Sequence, residues 1–211
     1  MRVFAQLNPQ QFQECFLSWM RSIQKVTSVE IVAIDGKTLC GSNDKASGQS
    51  AIEIVSAWAT TNRLVLGQVK VDSNSNEITA IPELLKVLEL SGCIVTIDAI
   101  GCQKNIVKLI VQQDADYVIT LKKNQGNLYD EVEKLIDEEI RAGFQGLKHS
   151  KYKTKEFGHG RHEIRHYLML SNIQEKLDPD LVWAKLNSIG MVESVRELEI
   201  TIKPNALFVW L

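Results

Sequence analysis

The chain has 211 residues, 45% hydrophobic and 24% charged, and its 24 Lys and Arg against 26 Asp and Glu give a formal net charge of −2. Such a chain can bury one core, or one core carrying a large insertion, and its charge excludes a surface that binds nucleic acid everywhere. No run of about eighteen apolar residues exists to span a bilayer and no secretory signal opens the chain, so no membrane partner and a cytoplasmic location are expected. Cys15, Cys40, Cys93 and Cys102 are scattered without a C-x-x-C pair, which favours free thiols over bridges or zinc ligands.

In chain order, Asn8-Pro9-Gln10-Gln11 reads as a helix start, with a capping side chain and Pro at the first position. Phe12, Cys15, Phe16 and Trp19 then fall on one face of a short amphipathic helix. Three strands are expected over about 30–34, 52–59 and 64–71, with a polar loop at 41–48 between the first two. Ile78, Ile81, Leu84, Leu85 and Leu88 recur at helical spacing, with Pro82 tolerated in the first turn and Gly92 closing the connection. A fourth strand runs through Cys93–Ile97 to Asp98, and a helix follows through Ile106 and Val111. A fifth strand, 116–121, leads through Lys122-Lys123-Asn124-Gln125-Gly126 into a long helix stopped by Gly143. Three consecutive strands imply an antiparallel meander, and strands alternating with helices imply parallel neighbours. A mixed five-stranded α/β sheet with flanking helices satisfies both.

After Gly143 the texture turns β-rich. Strands are expected at 151–156, 163–170, 182–185 and 189–198, and the chain ends on the bare apolar run Ala206–Leu211, with no partner element expected for it. Between Lys148 and His166 lie Lys148, Lys151, Lys153, Lys155, Arg161 and Arg165 against Glu156 and Glu163, together with all four histidines. This cluster can match the phosphate spacing of a DNA backbone, or be a solvated hairpin. A zinc site from His159, His162 and His166 is disfavoured, because alternation puts His159 and His162 on opposite faces. Trp19 and Trp58 sit among apolar residues and read as core.

Two aspartates carry the most chemistry. Asp35 closes Ile31-Val32-Ala33-Ile34 and Asp98 closes Cys93-Ile94-Val95-Thr96-Ile97. A charge at the end of an apolar run is costly to bury, so two such residues suggest one shared cation site. Lys37 stands two residues from Asp35, where it could contact phosphate or solvate a strand end. Asn124 and Gln125 open a helix and could donate to DNA. Glu163 reads as a surface ion-pair partner rather than a catalytic acid.

The segments Ala33-Ile34-Asp35-Gly36-Lys37-Thr38, Leu66–Val71, Asn76–Pro82, Thr96-Ile97-Asp98-Ala99 with Gly101-Cys102-Gln103, and Leu121–Gly126 together resemble the ISAs-type insertion-sequence transposases, which include the H-repeat-associated proteins. The resemblance runs nearly to Glu197. It implies a ribonuclease-H-like core of the DDE superfamily, with a β-rich insertion after the fifth strand, that cleaves DNA and transfers strands by two-metal phosphoryl transfer. Asp35 and Asp98 match the first two family carboxylates as catalytic metal ligands, and two Mg²⁺ or Mn²⁺ ions are expected in an intact site. Lys37, Lys122, Lys123, Asn124, Gln125, Arg161 and Arg165 are the expected DNA contacts. The implied partners are terminal inverted repeats, target DNA and further copies of the chain.

This reading divides the chain into a remnant helical segment (1–28), a catalytic core (29–143), a β-rich insertion (144–198) and a divergent tail (199–211). Cys40 stands where an arginine is usual, and the family's third carboxylate, a glutamate on a late helix, has no matching context. The chain is therefore expected to be truncated at both ends and to be an inactive or impaired transposase. The alternatives are a non-catalytic fragment that interferes with the full-length enzyme, and a metal-dependent nuclease.

Overall fold

The computed structural model describes residues 6–23, 30–43, 51–72, 75–158, 161–197, 201–202 and 206–210. Contacts cluster into two compact units, Met1–Thr96 with Gln113–Ala115, and Ile97–Gln112 with Asp116–Leu211. Of the polar loop expected at 41–48, only 41–43 fall among the described residues.

The first unit begins with α1 (Pro9–Ile23), whose N-terminal N–H groups at Gln10 and Gln11 donate to the Asn8 side chain at 3.0 and 3.1 Å. Its strands β1 (Ile31–Thr38), β2 (Glu53–Ala59) and β3 (Leu64–Lys70) form an antiparallel meander, and β4 (Ile94–Ile97) lies on the other side of β1. Val32 and Ile34 of β1, Val55, Ala57 and Ala59 of β2, and Leu66 of β3 are buried on one face. Against it packs α2 (Glu77–Val87), through Ala80, Ile81, Leu84 and Leu85. The fit is close at Gly67, where a Cβ would stand 3.2 Å from both Leu84 and Leu88. Asn76 and Thr79 cap α2 reciprocally. Since the helix starts at Glu77, Pro82 is its sixth residue and lies beyond the first turn, where its missing N–H leaves the Ile78 carbonyl without its helical partner. Just before β1, the buried Glu30 carboxylate accepts from the Thr61 N–H at 2.8 Å and the Asn62 amide at 2.9 Å, tying down the β2–β3 turn.

The second unit contains α3 (Lys104–Gln112), β5 (Asp116–Leu121) and α4 (Gly126–Arg141). Gly143 follows α4 at φ +65°, a conformation that suits glycine at a helix end. Three antiparallel strands follow: β6 (Lys148–Gly158), β7 (Arg161–Ser171) and β8 (Ser188–Glu197), with β9 (Thr201–Ile202) paired to β8. The last strand, β10 (Ala206–Trp210), lies between β5 and β8, antiparallel to both. The core takes Ile106, Val107 and Ile110 from α3, Tyr117, Ile119 and Leu121 from β5, Leu128, Val132 and Ile136 from α4, and Leu168, Leu170 and Ile189 from the β-rich part.

The fold is mixed α/β, a five-stranded mixed sheet flanked by helices, and it has the ribonuclease-H-like character that the resemblance implies. Four local expectations are corrected. Residues 182–185 form a turn-rich connection and not a strand, with Trp183 buried in it. The terminal apolar run has a partner on each side, because β10 completes backbone ladders that β5 and β8 would otherwise leave open. The α1 face bearing Phe12 and Trp19 is exposed, and the helix buries Met20 instead. Trp58 is 40% exposed, because it alternates away from the buried Ala57 and Ala59. Among the described residues no helix is long and apolar enough to cross a membrane.

Candidate functional site

Asp35 lies within β1, three residues before its end, and pairs in register with Ser56 of β2. Its side chain points away from the buried face, so its charge stays in water. Lys37, two residues on and therefore on the same face, brings its Nζ to 3.5 Å from the Asp35 carboxylate. Both groups are well exposed, so the pair is screened and weak. Ser56 in turn pairs with Gln68 of β3, whose amide reaches the Ser56 hydroxyl at 3.3 Å. Asp35, Lys37, Ser56, Trp58 and Gln68 line an open cleft of about 490 Å³. Sequence reasoning missed Ser56, Trp58 and Gln68, although alternation along β2 against the apolar Val55, Ala57 and Ala59 would have put the first two on an outward face. At Gly36 a Cβ would meet the carboxylate end of the Glu77 side chain, which a turn of that side chain relieves.

Asp98 follows β4 directly and caps the 3-10 turn Ala99–Gly101, its carboxylate accepting from the Ile100 N–H at 3.0 Å. The side chain is exposed. Gly101 is required here, because a Cβ would stand 2.2 Å from the Ile97 side chain. The turn is held from a second direction by Asn124, whose amide donates to the Ala99 carbonyl at 2.7 Å. Gln125 extends this contact by donating to Gln103 at 3.3 Å. Asn124 and Gln125 are thus engaged within the protein. The neighbouring Lys122 and Lys123 are exposed, with the Lys123 ammonium 5.6 Å from the centre of the Tyr129 ring. Below the turn, burial pushes the Cys102 thiol up to about 12.

Arg165 belongs to β7, where it stands 3.1 Å from Glu163 and 3.8 Å from Glu156 and is also bonded to Tyr167. The Tyr167 hydrogen bond and the two carboxylates hold its guanidinium above its ordinary value. Glu163 also accepts from the Ser194 hydroxyl at 2.9 Å, so it is an ion-pair and hydrogen-bond partner in the sheet. Arg161 opens β7, but its side chain lies outside the described residues, as does His159. Among the described residues, no three His, Cys, Asp or Glu side chains are grouped to hold a metal ion.

The family model described as "Transposase DDE domain" matches residues 28–195, and the chain belongs to that family. It is 40% identical over 198 residues to "Putative protein YbfL" of Escherichia coli strain K12, covering 93% of this chain and 51% of that one. The "H repeat-associated putative transposase YhhI" of the same strain is 39% identical over 198 residues, with the same two coverages. "Putative transposase YncI" of that strain is 42% identical over 176 residues, covering 83% of this chain and 69% of its own length. The chain thus spans about half the length of YbfL and YhhI.

Proposed function

We propose that the chain supplies two carboxylates of a metal-dependent phosphoryl-transfer centre that cleaves the terminal inverted repeats of a mobile element and joins them to target DNA. The observation that carries this reading is the family match over residues 28–195, which spans both Asp35 and Asp98. The donor chemistry fits Mg²⁺ or Mn²⁺: both side chains are exposed oxygen donors, and Mg²⁺ is bound through one or two carboxylates plus water and substrate phosphate oxygens. When bound, such ions activate the attacking oxygen and stabilise the leaving one.

The chain's own residues do the positioning. Lys37, only weakly paired with Asp35, keeps an exposed ammonium beside the carboxylate that can meet a phosphate. Asn124 holds the Ala99 carbonyl and so fixes the turn that carries Asp98, which makes it a positioning residue rather than a DNA contact. Gln125, bound to Gln103, shares that role. The exposure of Lys122 and Lys123 supports phosphate contact, and Arg161 remains assigned to DNA. Arg165, committed to Glu163 and Glu156, is less available. Joining two element ends in one event calls for more than one subunit.

Calorimetric titration with Mn²⁺ tests this reading. Binding is expected for the unsubstituted chain and its loss in Asp35→Ala and Asp98→Ala, with nicking of terminal-repeat DNA falling in the same variants. Cation affinity unchanged by both substitutions would refute it.

A further inference from the structure

The register of β6 and β7 sorts the basic cluster onto two faces. Directly opposed residues of an antiparallel pair share a face, and faces alternate along each strand. Lys153 opposes His166, Lys151 opposes Leu168 and Lys155 opposes Ile164, which puts all three lysines on one face. Thr154 opposes Arg165 and Glu156 opposes Glu163, which puts the ion-paired arginine on the other. The lysines are exposed and recur at every second residue, about 6.8 Å apart in an extended strand. Lys151 is held in place, its ammonium 3.7 Å from the centre of the Phe144 ring.

The surroundings of this row suit an anion. Leu168, Met191, Ile140 and Phe144 wall a cleft of about 430 Å³ whose rim carries Lys151, Lys153 and His166. The neighbouring strand β8 brings one described acid to this face, Glu193, in register with His166 and two strands away from the lysines. Among the described residues β6 is the last strand in its sheet, and none of them forms a further strand on the outer side of the row. An evenly spaced line of cations along an open strand is complementary to the evenly spaced charges of a sugar-phosphate backbone.

We propose that the β6 face bearing Lys151, Lys153 and Lys155 is the surface on which this chain holds the DNA backbone, independently of base sequence. This rests on the DNA-processing reading above, and it shifts the contact expected of Arg165 on β7 to the lysines of β6.

Fluorescence anisotropy with a duplex of arbitrary sequence, across a salt series, tests it. The probe proteins are the unsubstituted chain, the triple variant Lys151→Gln/Lys153→Gln/Lys155→Gln, and Lys148→Gln. Lys148 shares β6 but opposes Ser171 on the other face, so its variant controls for charge alone. The triple variant is expected to lose affinity on the order of ten- to a hundredfold, its salt slope falling by about one per lysine. Lys148→Gln should leave both quantities near those of the unsubstituted chain. An unchanged slope in the triple variant overturns the assignment while the phosphoryl-transfer reading, judged by Mn²⁺ binding at Asp35 and Asp98, stands or falls separately. Failure of the unsubstituted chain to bind duplex, or equal displacement by polyglutamate at matched charge, also overturns it, the latter in favour of an acidic protein partner.

Discussion

Glu30 shows how one side chain ties sequence to fold. At 1% exposure its carboxylate takes two donors from the β2–β3 turn, so its burial is supported by hydrogen bonds from Thr61 and Asn62. Its charge also contributes, after burial, to raising the neighbouring Cys93 thiol. Glu30→Ala is expected to leave those donors unsatisfied and cost about 1–3 kcal/mol, read as a lower urea midpoint with an unchanged slope. A midpoint within error of the unsubstituted chain would show the turn to be held by other contacts. Asp35 and Asp98 were legible from sequence as acids attached to apolar strands, because such charges have few bland explanations. The hydrogen bond from Asn124 to Ala99 joins residues 25 positions apart, and no local pattern announces it. Trp58 was misread because its neighbours are apolar, although Ser56 two residues earlier marks the outward face.

Among the elements, those that alternate or repeat clearly were the readable ones. Strands β1 to β5 and helices α2 to α4 follow from apolar runs and helical spacing, since their buried faces are continuous in the sequence. β10 is different. Its five residues are apolar without a polar face, and what makes them a strand is the open ladders of β5 and β8, both distant in sequence. Ending the chain before Ala206 is therefore expected to expose backbone on both strands and promote association, seen by light scattering as higher oligomers at equal concentration. A chain so shortened that stays in the same state as the unsubstituted one would mean the ladders close without β10. For β6 and β7, parity along each strand was readable, but opposition across the pair, which separates lysines from arginine, depends on register.

For the molecule, pH dependence on the alkaline side follows from the second unit's core. Burial raises Cys102 from 9.0 to about 12, and raises Tyr117 above its ordinary 10.0, with the nearby Cys102 adding to the effect. The Tyr117 hydroxyl also donates to the Ala184 carbonyl at 3.0 Å, a bond that needs the proton. Both groups hold their protons more tightly folded than unfolded, so their contribution is fully present below about pH 9. It is lost as pH rises from there through the folded values. The urea midpoint should therefore be level up to pH 9.0 and fall towards about 12, and Tyr117→Phe should remove the tyrosine part of that fall. A midpoint independent of alkaline pH would contradict the burial of these groups.

The family and the α/β class were legible because several short motifs coincide over most of the chain. One feature of that architecture separates the two aspartates. Asp35 sits inside a strand, its backbone in register with Ser56 of β2, so the antiparallel ladder holds the backbone and the side-chain torsions answer an arriving ligand. Asp98 sits on a three-residue turn, anchored by Ile100 and Asn124. Precision is therefore inherited from the sheet at one carboxylate and must be maintained by an amide side chain at the other. A change at Asn124 would then be felt as looseness in Asp98 while Asp35 stays in register.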